Sequence, residues 1–290
     1  MASLRPVEGG SPTGPPRRPS GRQERFASWL FYLVAPRLGR AAPPSPPAHL
    51  APFARVAIPR RGRGGSLDGT FFPAPEARAA ALLVHPWTEW GQAYFHRRGR
   101  IDALRASGIH ALTFDQSGFH RSPPPRGFPD ADVADALACL SGLAPGLPLV
   151  LWGVSSGGYW AHFVLAGQSL CRAAAFEDVA PHLLRWAWRQ APWGRPCYVL
   201  FRLLLPGVWR WLDLGTHAPH LRLRAASYTS GARDRGVRPE ETAELARRAG
   251  ARCLLVPGAG HLTAIKLATA DVLGAALAVF EAGLAGGQVP

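Results

Sequence analysis

The feature that most constrains the fold is a stretch in the middle of the 290-residue chain, residues 149–158, with the sequence LVLWGVSSGG. An apolar run stops at a serine that has one glycine two positions before it and another two positions after it. This spacing predicts a sharp turn from a strand into a helix that raises the serine above the end of a sheet. Glycine is required at both flanking positions because the serine adopts a strained backbone conformation and a nearby Cβ would crowd the turn.

The glycine spacing also distinguishes the two neighbouring serines. Ser155 has Gly153 and Gly157 at the required offsets, whereas Ser156 would need a glycine where Val154 stands. We therefore predict that Ser155 is the exposed serine of a nucleophile elbow and that the N–H of Ser156 points into an oxyanion site. The alternative is an ordinary glycine-rich turn with solvent-exposed serines, since short motifs also occur by chance.

Segments that predict strands alternate with segments that predict helices. The predicted strands are residues 55–58, 67–72, 79–84, 109–114, 149–152, 172–176, 225–229 and 252–256. Helices are predicted at residues 94–106, from 130 onward, and at 157–165, 239–249 and 262–282. This alternation implies an α/β fold with a mostly parallel sheet of about eight strands and helices on both faces. We expect one such domain over residues 53–290.

Residues 179–222 interrupt the alternation. They contain proline breakers, no strand pattern and five tryptophans, namely Trp186, Trp188, Trp193, Trp209 and Trp211. We predict a small helical cap inserted between two strands. Its tryptophans could line a hydrophobic acyl or aromatic pocket, or they could form the core of the cap itself; the sequence leaves both open.

The N-terminal residues 1–52 differ in composition from the rest of the chain. Residues 1–24 are rich in Pro, Gly, Ser and Arg, which predicts disorder, and residues 41–52 have the composition of a linker. Between them lies an aromatic, apolar run that predicts a short helix at 26–36, about half the ~20 residues needed to cross a bilayer. It could pack on the domain, lie in a membrane interface or be a cleaved signal, and we favour the first two.

The net charge and the cysteine content limit which partners and which cellular location are plausible for this chain. The formal net charge is +14, but Lys266 is the only lysine, so a general arginine bias explains much of it. No nucleic-acid-binding motif accompanies the charge, and we predict that nucleic acid is not a partner. The four cysteines show no metal-ligand spacing, which predicts free thiols and no metal site. We expect a cytoplasmic protein, with peripheral membrane contact through 26–36 as an alternative.

A serine hydroxyl needs a base within hydrogen-bonding reach, and the base needs an orienting acid. Asp234 lies in the loop after the predicted strand 225–229, and His261 lies in the loop after 252–256. Because the C-terminal ends of parallel strands share one edge, both can meet Ser155 there. Asp178, after the strand 172–176, is a second candidate for the acid. For the second oxyanion donor we predict the N–H of Trp87, because the preceding Pro86 has none.

These motifs resemble the α/β-hydrolase superfamily, and in particular its capped serine hydrolases, which include esterases, monoacylglycerol lipases and serine aminopeptidases. The resemblance spans residues 53–290 and rests on the glycine-framed serine, Asp234, the Gly260-His261 pair and the loop DQSGFHRS at residues 115–122. Pro86 departs from the pattern, which often has glycine after His85. The resemblance implies the α/β-hydrolase fold, a Ser155–Asp234–His261 triad, no cofactor and a structural role for Asp115.

Three functions remain open from the sequence. The leading hypothesis is hydrolysis of a small-molecule carboxylic ester through an acyl-enzyme. The same three residues would also serve an acyltransferase, a thioesterase or a peptidase. A third reading is a catalytically silent member of the fold that binds a membrane or a partner, but an intact triad argues against it. Neither the physiological substrate nor the oligomeric state follows from the sequence.

Overall fold

The computed structural model describes residues 14–34, 45–167, 169–190 and 194–285 of the chain. Parts of four predicted features lie outside these residues: positions 1–13 of the segment predicted to be disordered, 35–36 of the apolar helix, 41–44 of the linker, and Trp193 of the cap. Among the described residues, no helix is both long enough and apolar enough to cross a bilayer.

Eight strands form one sheet with the spatial order β1-β2-β4-β3-β5-β6-β7-β8. The first two strands form an antiparallel hairpin at one edge, β2 pairs antiparallel with β4, and the neighbours from β4 to β8 are parallel. The predicted mostly parallel sheet is therefore confirmed. The strands are β1 Ala54–Pro59, β2 Ser66–Phe72, β3 Ala79–Val84, β4 Ile109–Phe114, β5 Leu149–Val154, β6 Cys171–Glu177, β7 Ala225–Gly231 and β8 Arg252–Val256.

Within the described part of the chain, ten α-helices accompany the sheet. In chain order they are α1 Gly21–Val34, α2 Arg100–Ala106, α3 Asp130–Leu143, α4 Ser156–Leu165, α5 Leu183–Gln190, α6 Gly194–Leu204, α7 Pro206–Trp211, α8 Pro239–Arg248, α9 Ala264–Leu267 and α10 Thr269–Leu284.

The two faces of the sheet bury separate cores, because successive strand side chains point to opposite faces. In β3, Leu82 and Val84 belong to the core covered by α3, α4 and the segment α5–α7. Ala81 and Leu83 belong to the opposite core, covered by α2 and α10. Every residue of β3 and of β5 is buried, which explains their unbroken apolar sequences.

Two helices are shorter than the sequence predicts. The segment 94–106 is helical only as α2, because Arg98 and Gly99 before it have positive φ angles of 65° and 70°. The predicted helix 262–282 is divided into α9 and α10 at Ala268, whose φ of −137° and ψ of 57° leave the helical region. Both differences arise from backbone geometry at single residues, which apolar periodicity does not report.

The helix α1 begins earlier than the predicted apolar helix 26–36 and is anchored to the domain. Arg18, just before it, forms ion pairs with Glu24 in its first turn and with Asp130 at the start of α3. Ala27 and Leu30 are buried. Residues 14–24, which the composition predicts to be disordered, therefore make defined contacts with the domain.

The segment predicted as a cap contains α5, α6 and α7, between β6 and β7. It packs on the domain through aromatic contacts: the ring of Trp211 lies 4.4 Å from that of Phe163 in α4 and 5.4 Å from that of Phe128. The hydroxyl of Tyr159 donates a hydrogen bond to the carbonyl of Leu212 at 2.5 Å. These contacts fix the cap against the middle and the second half of α4.

A buried ion pair lies under the end of β5. Arg100 in α2 is fully buried and forms an ion pair with Glu177 at the end of β6, at 2.6 Å. The indole N–H of Trp152 donates a hydrogen bond to the same carboxylate at 2.6 Å. The carbonyl of Glu177 also accepts the N–H of Ser155 at 2.7 Å. The pair therefore supports the strand ends on which the elbow rests.

We expect Arg100→Met to lower the free energy of unfolding by about 3–5 kcal/mol, because it leaves the Glu177 carboxylate buried without a charge partner. The double variant Arg100→Met/Glu177→Gln should recover most of this loss, because it removes both charges and keeps an acceptor for Trp152. Urea unfolding of both variants checks the pair. A single variant as stable as the native chain, or a double variant no better than the single, would contradict this role.

Candidate active site

The elbow predicted at Ser155 has the geometry that its sequence requires. Ser155 joins β5 to α4 with a φ of 49° and a ψ of −119°, a conformation that non-glycine residues rarely adopt. Its N–H donates to the carbonyl of Glu177, so the strained backbone is held by a hydrogen bond to the neighbouring strand. This conformation places the serine side chain at the C-terminal edge of the sheet.

The flanking glycines allow close backbone contacts. A Cβ on Gly153 would lie 2.5 Å from the Cα of Gly158. A Cβ on Gly157 would lie 2.2 Å from the carbonyl oxygen of Val84 and 2.5 Å from that of His85. No side chain fits at either position. Gly157 therefore lets α4 contact the loop that follows β3.

We expect Gly157→Ala to lower the free energy of unfolding by about 1–3 kcal/mol and to displace the loop after β3, because the new methyl group overlaps two backbone oxygens. Gly274→Ala in α10 is the matched control, since its Cβ would meet nothing within 4 Å. It should be neutral or stabilising by up to about 1 kcal/mol. Chemical denaturation measures both, and equal stabilities would contradict the close contact.

Ser155, His261 and Asp234 form a continuous hydrogen-bonded path. The Oγ of Ser155 lies 3.1 Å from Nε2 of His261, and Nδ1 of His261 lies 2.7 Å from Oδ2 of Asp234. Asp234 is an acceptor, so Nδ1 carries the proton and Nε2 is left to accept the hydroxyl hydrogen of Ser155. The structure thus brings together the three residues that the sequence analysis selected.

Asp234 is held as an anion by its own loop. Its Oδ1 accepts hydrogen bonds from the N–H groups of Gly236 at 2.8 Å and Val237 at 3.0 Å. Burial acts to raise the pKa of Asp234, but the hydrogen bond from His261 and the two backbone N–H groups outweigh it and lower the pKa. The carboxylate can therefore fix the orientation of the imidazole.

The rival acid, Asp178, bonds to the loops rather than to the imidazole. Its Oδ1 accepts the N–H of Gly231 at 3.2 Å and the hydroxyl of Ser230 at 3.1 Å, both at the end of β7. Its Oδ2 accepts the N–H of Leu262, after β8, at 2.9 Å. Asp178 thus ties together the two loops that carry Asp234 and His261.

The same residues are also a candidate metal site by distance alone. One ligand atom each of Asp178, Asp234 and His261 lies within 4.8 Å of the others. Their hydrogen bonds to one another and to backbone N–H groups already use the carboxylate oxygens and Nδ1 of the imidazole. These atoms therefore already have hydrogen-bond partners, and we assign the cluster no metal.

The loop after β3 is locked against the loop after β4. The N–H of Gln116 donates to Nε2 of His85 at 3.1 Å, and the side-chain amide of Gln116 donates to the carbonyl of His85 at 3.0 Å. Nδ1 of His85 must then carry the proton, and it donates to the carbonyl of Pro86 at 2.8 Å. Burial lowers the pKa of His85, so the ring is neutral and structural.

The two predicted oxyanion donors belong to different elements, the start of α4 and the loop after β3. Ser156 is the first residue of α4, where backbone N–H groups have no acceptor within the helix. Trp87 follows the locked segment, and its ring packs 5.9 Å from that of Phe119 and 6.1 Å from that of Tyr32 in α1. The role of both N–H groups stays a prediction.

Asp115 and His120, in the loop after β4, bond to each other and to nearby backbone. Nδ1 of His120 lies 3.0 Å from Oδ2 of Asp115, whose Oδ1 accepts the N–H of Gln92 at 2.8 Å. His162 in α4 is buried and packs between the carbonyl of Gly158 and the hydroxyl of Tyr228. These polar groups shape the loops around the elbow.

The structure also contains a cavity that the sequence did not predict. It has a volume of 1020 Å³ and lies between α1 and the loops after β3 and β4, with walls that include Trp29, Tyr32, Trp87, Phe119 and Arg126. The aromatic run at 26–36 was its only signal in the sequence. The cavity meets the locked loop at Trp87, which belongs to its wall.

No protein-family model matches the chain, and no curated protein sequence matches it. Solved structures do match its backbone. The esterase Pf2001 from Pyrococcus furiosus aligns with a TM-score of 0.67 at 16% identity, over 87% of this chain and 100% of that one. ATU1826 from Agrobacterium tumefaciens, a putative α/β-hydrolase, aligns with a TM-score of 0.58 at 16% identity, over 82% and 99%.

A third similar structure is the putative non-heme bromoperoxidase BpoC from Mycobacterium tuberculosis. It aligns with a TM-score of 0.58 at 18% identity, over 75% of this chain and 96% of that one. At such identities the likeness shows a shared fold.

We expect the imidazole of His261 to titrate above its ordinary pKa of 6.5. Burial acts to lower this pKa, but the hydrogen bond to Asp234 and the charge of Asp178 outweigh it by stabilising the protonated ring. Asp178→Asn should therefore lower the pKa of His261, whereas Asp271→Asn, on the exposed start of α10, should leave it unchanged. NMR titration of the ring nitrogens measures the pKa of His261 in the native chain and in both variants. A native value at or below 6.5 would contradict the charge balance.

Proposed function

Because the chain has the α/β-hydrolase fold, we propose that it is a serine hydrolase that cleaves carboxylic esters through an acyl-enzyme. The observation that carries the proposal is the hydrogen-bonded path from Ser155 through His261 to Asp234. Three residues that are far apart in the sequence converge at one edge of the sheet in the order of groups that activates a serine hydroxyl. A structural role alone does not require this arrangement.

In the first half of the reaction, Oγ of Ser155 attacks the carbonyl carbon of the ester while its proton passes to Nε2 of His261. The carbonyl electron pair moves to the oxygen, which becomes an oxyanion. Asp234 stabilises the imidazolium and holds it in place. The bond from carbon to the alcohol oxygen then breaks, and the alcohol departs with the proton from His261.

In the second half, His261 removes a proton from water, and the water oxygen attacks the acyl carbon. The bond from carbon to Oγ of Ser155 breaks, and the serine oxygen recovers the proton from His261. The acid leaves and the site returns to its starting state. No electrons are exchanged with a redox partner, and no cofactor takes part in these steps.

The oxyanion would accept hydrogen bonds from the backbone N–H groups of Ser156 and Trp87. Two observations support this role: Ser156 opens α4, whose positive dipole end faces the elbow, and Gly157 packs on the carbonyl groups of the loop that leads to Trp87. Each such donor typically contributes about 3 kcal/mol to transition-state stabilisation.

Two aromatic surfaces near the proposed site suit a substrate with an acyl chain or an aromatic group. One is the wall of the cavity at Trp87. The other is the ring of Trp186 in α5, which lies 6.1 Å from the ring of His261. Both features favour a small-molecule ester over a large polymeric substrate.

We expect Ser155→Ala to reduce kcat for a short p-nitrophenyl ester by about 10⁴-fold or more and to abolish labelling by a fluorophosphonate. Ser156→Ala is the matched control, because its buried hydroxyl has no hydrogen-bond partner among the described residues and its N–H is retained. This control should keep activity within about tenfold of the native enzyme.

A panel of oxygen esters, thioesters and aminoacyl anilides, with water as the acceptor, distinguishes ester hydrolysis from thioester and peptide hydrolysis. The proposal predicts the highest kcat/KM for oxygen esters. Labelling that persists in Ser155→Ala would overturn the nucleophile, and faster turnover of thioesters or anilides would reassign the substrate class while keeping the site.

A further inference from the structure

We propose that the outer face of the cap, together with α1, docks on an anionic phospholipid bilayer. This docking face consists of exposed apolar side chains and the exposed arginines among them; the apolar members are Phe26, Trp29, Trp188, Val199, Leu203 and Leu204. The inference concerns binding and does not depend on the ester chemistry of Ser155.

The helix α6 is apolar on two sides. Its inner side buries Cys197 and Phe201 against the rest of the cap. Its outer side exposes Val199 and Leu203, four residues apart, at 45% and 71% of their accessible surface. Leu204, the last residue of the helix, is 62% exposed, and all three lie on the rim of a shallow hollow that also includes Trp188. An apolar surface of this kind indicates a site of contact with a partner or a membrane.

Positive charge surrounds the apolar side chains, and negative charge is absent from the same segment of sequence. Residues 179–212 contain five arginines and neither Asp nor Glu. Arg189 pairs with Glu241 in α8, and the other four are exposed: Arg185, Arg195, Arg202 and Arg210. An apolar surface framed by arginines fits acyl chains beneath anionic headgroups.

The helix α1 adds a surface of the same composition beside the cap. It packs against α6 and α7. Its residues Arg22, Arg25, Phe26 and Trp29 have the spacing of one helical face and are all exposed, whereas Leu30 is buried. Trp29 is 59% exposed and stacks on Phe26, with ring centroids 6.1 Å apart. Aromatic and arginine side chains on one helical face are typical of interfacial helices.

A bilayer fits this face better than the other occupants that carry complementary features. A second copy of the chain would bring arginines against arginines without acidic partners. A nucleic acid would neutralise the arginines but would leave the exposed leucines in water. An anionic membrane interface neutralises the arginines with its headgroups and also removes the exposed leucines from water. Because Trp186 of the cap also contacts His261, docking would bring the candidate active site close to the bilayer.

Sedimentation of the full chain with vesicles tests the proposal. Vesicles of about three parts phosphatidylcholine to one part phosphatidylglycerol should pellet the protein, and phosphatidylcholine alone should pellet at least about tenfold less. Leu203→Glu/Leu204→Glu should weaken binding to the mixed vesicles by at least about tenfold. The matched control is Leu170→Glu, a 47% exposed leucine just before β6 that does not belong to the docking face.

The charge contribution has its own pair of variants. Arg202→Gln/Arg210→Gln should weaken binding by about tenfold, whereas Arg252→Gln, at the start of β8, should change it by less than about twofold. Far-UV circular dichroism and thermal unfolding, unchanged in all of these variants, verify their folding. Ser155→Ala should pellet like the native chain, which separates this proposal from the proposed catalysis.

Three results would overturn the docking face. The first is equal pelleting of the native chain and Leu203→Glu/Leu204→Glu. The second is retention on duplex DNA that survives this leucine change, without binding to mixed vesicles, which would indicate a polyanion site. The third is a dimer in solution that dissociates on the same change while vesicle binding is absent, which would indicate self-association.

Discussion

The close approach of α4 to the end of β3 is the contact on which the site depends. It is possible only because Gly157 has no side chain, since a Cβ would overlap the carbonyl oxygens of Val84 and His85. The contact holds the start of α4 against the locked loop and leaves Ser155 in its strained turn above the sheet. Glu177, whose side chain pairs with Arg100, supports the same turn through its backbone carbonyl. The close packing at Gly157 and the buried ion pair of Glu177 therefore both hold Ser155 in its strained conformation.

His261 and Asp234 reach that serine through a second constraint. Asp178 accepts backbone hydrogen bonds from the end of β7 and from Leu262 in the loop after β8, so the loops that carry Asp234 and His261 are fixed relative to each other. Asp178 also adds negative charge near the imidazole without taking the hydrogen bond of Asp234. One carboxylate thus orients the ring, and the other holds the loops together.

The sheet and the elbow could be predicted from the sequence because their signals are local. Continuous apolar runs mark β3 and β5, and the glycine spacing selects Ser155 over Ser156. The start of α1 could not be predicted, because it depends on Arg18 meeting Asp130, which is distant in sequence. The division of α9 from α10 depends on the backbone angles of one alanine, which carry no compositional signal. The cavity beside Trp87 exists only because α1 packs over two loops, so no local pattern could reveal it.

We propose that the path from Asp234 through His261 makes Ser155 a nucleophile that carries an acyl group. The most direct test is mass spectrometry of the native protein quenched in acid during turnover of an oxygen ester. We expect an added mass equal to the acyl group on the peptide that contains Ser155, and none in His261→Gln under the same conditions. Turnover without any acyl adduct, or an adduct on a different residue, would contradict it.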